Sequence, residues 1–283
     1  MSKKKIIILS SSIVLVLAGL YYIGTNEVPD QNGQLGSSKK LAFEDTGDFK
    51  IVYGKTQNPG YAEYNKLLES SQGFESIAAF LNNAFILQND FPIVIEECGF
   101  VNAYYTSDEK KIVICDELLE NFTQNFSYIV NTKEEVDRAV TGAAYFILFH
   151  ELGHGMIDVY DLTYSGKEED VVDQLASVIL TGFGEDGPKA AITGANYFYI
   201  TSSEIGPGYA FWDEHALNQQ RYYNILCWVY GSNPQKFNYF VGTYGLPQDR
   251  AERCQYEYEK MYKFWDTTLT PYVKARIKAE VNE

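Results

Sequence analysis

Basic residues, histidines and closely paired cysteines are all scarce in this chain, and each shortage removes a class of function. Lys and Arg total 23 against 38 Asp and Glu, a formal net charge of −15. Gripping nucleic acid takes cations for the phosphates, so no nucleic-acid partner is expected. The acid excess reads as a solvated surface. The four cysteines, Cys98, Cys115, Cys227 and Cys254, include no CxxC pair, which argues against a cysteine zinc cluster. No internal repeat is present. Only three histidines occur, His150, His154 and His215, so any imidazole chemistry belongs to them.

What is present suits a globular protein. Hydrophobic residues make up 46% of the chain, enough for a sizeable core, and the 23 tyrosines suit half-buried clefts. Lys3, Lys4 and Lys5 precede a charge-free run from Ile6 to Asn26. That pattern predicts a signal peptide or membrane anchor over residues 1–25. The lysines then stay inside, and the remainder is extracytoplasmic, secreted or anchored, touching a membrane only through this segment. Oxidising surroundings preserve disulfides. Pairing by nearness in sequence gives Cys98–Cys115 and Cys227–Cys254, each worth about 3 kcal/mol in the chain-entropy model. Residues 26–48, rich in Asn, Gln, Gly and Ser, read as a flexible linker, leaving 49–283 as the folded domain.

Within it, Phe49–Gly54 and Asp90–Cys98 read as strands, and Tyr61–Ser71 and Gly73–Ala84 as helices, with Asn58–Gly60 as a turn. Phe100–Tyr105 and Lys111–Cys115 read as a hairpin. Thr132-x-x-Glu135 is a capping box that opens a helix running to His154 and beyond. A second helix, about 167–180, starts with the acids Glu168, Glu169 and Asp170 and is ended by Gly182, Gly184 and Gly187-Pro188. Asp213–Val229 and roughly 248–278, broken at Pro271, complete the helices. Together these give an α+β fold with a small sheet and a mostly helical C-terminal half.

Residues 149–155 read Phe-His-Glu-Leu-Gly-His-Gly. On a helix, His150 and His154 share a face one turn apart, as two ligands of one Zn²⁺ require. Glu151 is rotated by about 100° and points beside the metal, where a general base would stand. Gly153 leaves room for close backbone approach. A third ligand must come from elsewhere. On the following helix, Glu169 and Asp173 share a face; Glu169 is chosen as the ligand and Asp173 as the group that holds a ligand histidine by its other nitrogen. Glu168, Asp170, Asp173 and His215 stay open as alternatives. His215, with Asp213 or Glu214 to orient it and Asp213 taken first, is the candidate oxyanion stabiliser, ahead of Tyr209 and Tyr222.

These segments resemble a bacterial family known mainly as a domain of unknown function and described as metallopeptidases. The resemblance rests on HELGH, E-E-D-x-x-D-Q at 168–174, F-W-D-E-H at 211–215, Q-R-Y-Y-N-I-L-C-W-V-Y-G at 220–231, L-P-x-x-R-A-x-x-C at 246–254 and E-E-C-G-x-V-N-A-Y-Y at 96–105. The arrangement is also similar to the gluzincins, the thermolysin-like zinc peptidases. That likeness implies a zincin-like fold, with an edge strand beside the active-site helix that pairs with an extended peptide. It also implies His150, His154 and Glu169 as zinc ligands, Glu151 as general base and His215 as the oxyanion histidine. Glu169 follows His154 by 15 positions, closer than in thermolysin. The expected activity is peptide-bond hydrolysis of a peptide or protein substrate. A non-catalytic zinc-binding module and a cell-wall peptide amidase are the alternatives.

Overall fold

Among the described residues, three of the sheet's four strands run parallel, an arrangement that needs long crossovers between them. The computed structural model describes residues 44–202, 214–243 and 245–274. The expected signal or anchor, and the linker as far as residue 43, lie outside the described residues. Strand β1 (Phe49–Tyr53) leads through helices α1 (Pro59–Ser71) and α2 (Gly73–Ala84) to β2 (Phe91–Glu96). The hairpin β3 (Ala103–Thr106) and β4 (Lys111–Cys115) follows. The sheet order is β1-β2-β4-β3, with β1, β2 and β4 parallel and β3 antiparallel at one edge. Near-continuous apolar runs suit strands covered on both faces. Ile93, Ile95, Ile112 and Ile114 enter the main core, whereas Val94, Val113 and Cys115 form a small cluster on the opposite face. The Cys98–Cys115 disulfide closes over that second face, and Cys227–Cys254 is the other bond.

The longer helices among the remaining described residues are α3 (Asp116–Ser127), α4 (Lys133–Val159), α5 (Glu168–Gly182), α6 (Asp186–Thr201), α7 (Asn218–Ser232) and α8 (Gln248–Leu269), the last followed by a 3₁₀ turn at Thr270–Tyr272. The Thr132/Glu135 capping box forms as expected at the start of α4. Helix α4 packs on β3 and β4 on one side and on α5 and α6 on the other. Its middle is almost wholly buried, with Phe146, Leu148, Phe149 and Leu152 at most 1% exposed. Gly153 sits where α4 crosses α5, and a Cβ there would lie 2.7 Å from Val172 Cγ1. The architecture is thus α+β with a small mixed sheet and a helical majority.

Several expectations need correction. Helix α1 starts at Pro59 rather than Tyr61, because Pro is at home in a first turn and the Asn58 side chain caps it by accepting from the Gly60 amide. Helix α3 was not foreseen; its acidic start follows β4 with no intervening loop. Helix α6 was not foreseen either, since Gly187-Pro188 reads as a break but occupies the helix's first turn. Helix α7 begins at Asn218, not Asp213, with the Gln220 side chain accepting from the Leu217 amide. Residues 214–217 therefore stay outside any helix, which frees His215 to turn towards α5. Asp213, Tyr209 and the end of the last expected helix lie outside the described residues. Among the described residues, no helix is long and apolar enough to cross a membrane.

Candidate metal centre

The HELGH segment lies in the buried middle of α4, and the first turns of α5 run against it. His150 is 3% exposed and Glu151 7%. The two ring Nε2 atoms of His150 and His154 face one carboxylate: His150 Nε2 is 3.1 Å from Glu169 Oε2, and His154 Nε2 is 3.4 Å from Glu169 Oε1. His215 arrives from the segment before α7, with Nε2 2.9 Å from Glu169 Oε2. Glu169 Oε2 is buried, and it has no other hydrogen-bonding group than these imidazoles facing it among the described residues. Two donors bound tetrahedrally to one zinc at about 2.0–2.1 Å stand about 3.3 Å apart. Ligand atoms of His150, Glu169 and His215 all lie within 4.8 Å of one another, with His154 on the other oxygen of Glu169, and imidazole with carboxylate is a donor set that zinc accepts. The residues therefore fit the ion.

The opposite ring nitrogens are held as firmly. His150 Nδ1 lies 2.8 Å from Asp173 Oδ1, and His154 Nδ1 lies 2.7 Å from Glu168 Oε1. Glu168 also accepts from the Tyr164 hydroxyl. Each carboxylate fixes its ring so that Nε2 looks inward. Asp173 is in turn gripped by buried Arg221 of α7, through Nε to Oδ2 and Nη2 to Oδ1, both 2.7 Å. The guanidinium rests over the Phe198 ring at 3.8 Å.

The charges are strongly coupled. Burial pulls the His150 pKa down, but its bonds to Asp173 and Glu169 outweigh that and raise it to about 9. Burial also lowers His154, yet Glu169 and Glu168 leave it raised. His215 is raised, chiefly by Glu169. Burial pushes Glu169 and Asp173 up, but the imidazoles hold Glu169, and Arg221 with His150 holds Asp173, well below the usual carboxylate range. Burial would discharge Arg221, yet Asp173 raises its pKa further. The cluster is a buried pocket of negative potential that takes up cations, protons if nothing else.

Of the residues singled out from sequence, the structure brings together His150, His154, Glu169, Asp173 and His215, with Glu151 beside His150. Glu168, an alternative ligand, faces the outer nitrogen of His154 instead. Asp170 pairs with none of the three histidines among the described residues. Sequence reasoning missed Arg221 and Tyr164. A lone arginine among Tyr222, Ile225 and Leu226 on the buried face of α7 was the available signal. The edge strand β3 lies against α4, where the Tyr105 hydroxyl donates to Asp158 Oδ2 at 2.7 Å.

An α+β domain whose crossing helices bury imidazoles against carboxylates has the makings of a metal-dependent hydrolase. The chain belongs to the family described as "Putative metallopeptidase", whose model matches residues 53–269. Membership gives it a peptidase-type activity on peptide or protein substrates and implies a metal ion. No curated protein and no solved structure matches the chain.

Proposed function

We propose that the protein is a zinc peptidase of the HExxH type, with His150, His154 and Glu169 holding the ion. The observation that carries this is the convergence of both Nε2 atoms on the Glu169 carboxylate, with a buried Glu151 one position along the helix. When bound, zinc supplies Lewis acidity, which acidifies water and polarises the scissile carbonyl. Glu151 takes the proton of the attacking water and delivers it to the leaving amine. His215 donates from Nε2 to the carbonyl oxygen as charge builds there. Asp173 and Glu168 keep both ligand rings in the productive tautomer. The open edge of β3 accepts an extended substrate. The two disulfides support an extracytoplasmic workplace.

A second reading has its own observation: His215 stands as near to Glu169 as the two helix histidines do, so it serves equally as a further ligand. His215→Ala separates the two. Loss of kcat with metal affinity kept supports the oxyanion role, and loss of affinity supports ligation. The main test is Glu151→Gln on a peptide library with measured metal content. It should retain one zinc per chain and lose about 10²–10⁴-fold in kcat. Full turnover by that variant would remove Glu151 as the base. Bound zinc without hydrolysis by the native protein would point to a non-catalytic module.

A further inference from the structure

A second polar cluster sits at the carboxyl ends of the three parallel strands and shares no residue with the histidine site. Asp116 follows β4 directly and opens α3, Glu97 follows β2, and Thr56 lies in the loop after β1. Helix α1 lays Asn65 against them. Sheets with parallel strands gather ligands at such ends. Asp116 is 1% exposed and Asn65 6%. Neither carboxylate oxygen of Asp116 and neither end of the Asn65 amide has a hydrogen-bond partner. Burial raises the Asp116 pKa, with the charges of Glu117 and Glu97 adding to it, while Asn65 and Thr56, within reach of the carboxyl, pull only partly the other way.

The surroundings offer no compensation. Glu97 Oε2 accepts from Thr56 Oγ1 at 3.1 Å and from the Gln57 and Asn58 amides, which leaves the Thr56 lone pairs and the second Glu97 oxygen to face a cation. Glu117 is occupied by the Cys98 and Gly99 amides at 3.1 and 2.6 Å. Among the described residues, no Lys or Arg forms an ion pair with Asp116, Glu97 or Glu117. Native proteins leave few buried polar groups unsatisfied, and an unpaired buried carboxylate is among the costliest. Four such atoms on two facing side chains call for a ligand between them.

We propose that Asp116, Asn65 and Thr56 bind a calcium ion. The donors on offer are a carboxylate, an amide carbonyl and a hydroxyl, all oxygen. The nearby sulfurs of Cys98 and Cys115 are locked in a disulfide. A hard cation with a flexible shell of six to eight oxygens suits that set, with Glu97 and water completing it. A water of the shell takes the Asn65 amide N–H. The ion would tie the ends of β1 and β4 to α1 and α3.

The test uses the full chain carrying one equivalent of zinc, so that calcium meets an occupied histidine site. Equilibrium dialysis should find one Ca²⁺ per chain. The Tm should rise by roughly 5–10 °C at a calcium level a hundred times the Kd. Asp116→Asn keeps the shape and removes the unpaired charge, so it should fold without calcium and lose both responses. Thr56→Val, a milder change, should weaken calcium binding about tenfold. No calcium bound by the native chain, an equal Tm rise in sodium chloride of matched ionic strength, or undiminished binding by both variants would overturn the proposal.

Discussion

Replacing Arg221 by Met removes the buried cation while keeping much of its stem. Arg221 gives Asp173 two hydrogen bonds of 2.7 Å and covers the Phe198 ring. The variant leaves Asp173, 3% exposed, with His150 as its remaining partner. Breaking a buried pair by removing one partner costs about 3–5 kcal/mol. For a domain of this size that is a fall in Tm of roughly 6–20 °C. The loss also reaches the metal, because Asp173 sets the ring of His150. Disturbing such a support weakens metal binding by about 10–100-fold. Calorimetry of the metal-free protein and competition against a zinc-binding dye measure the two effects separately. Adding Asp173→Asn should restore more than half of the lost Tm, since Asn needs no counter-ion, but should not restore zinc affinity. A Tm within about 2 °C of native, together with unchanged zinc affinity, would refute the view that the clamp supports the site.

Two further outcomes follow from the site. A metal takes the neutral imidazole, and metal-free His150 keeps its proton up to about 9, so at pH 8 zinc binding should release close to one proton, where an ordinary histidine of pKa about 6.5 would release almost none. Titration calorimetry in buffers of different ionisation heat reads this, and heats independent of buffer would contradict it. By the same linkage, the stability that His150 adds to the metal-free fold is complete below about pH 6.5 and is lost as the pH rises through about 9. Gly153→Ala should press its methyl into Val172, costing about 1–3 kcal/mol and loosening zinc as α5 moves off α4; a variant with native Tm and native zinc affinity would show that the crossing tolerates the group.

The elements with local signals were legible in the sequence. The Thr132/Glu135 box, the apolar spacing of α2 and the polar turn of the hairpin each act over a few residues, and each predicted its element. The parallel pairing of β1, β2 and β4 was not legible, because it joins segments dozens of residues apart. Helix α6 was hidden because glycine and proline mark helix starts as well as stops. In the site, the pair on α4 is fixed by helical spacing alone, and α5 follows within a short loop. Arg221 stood out only as a lone arginine on an apolar face, and its role could not be read from that because it exists only through Asp173, 48 positions earlier. The surroundings of Asp116 likewise depend on Asn65, 51 positions earlier on α1.

Arg221 lies less than two turns before Cys227, whose sulfur is joined to Cys254 on α8. The helix that delivers the guanidinium is thereby stapled to its neighbour by a bond that reductants undo. Opening that bond would leave the arginine-bearing helix tied to α8 by packing alone.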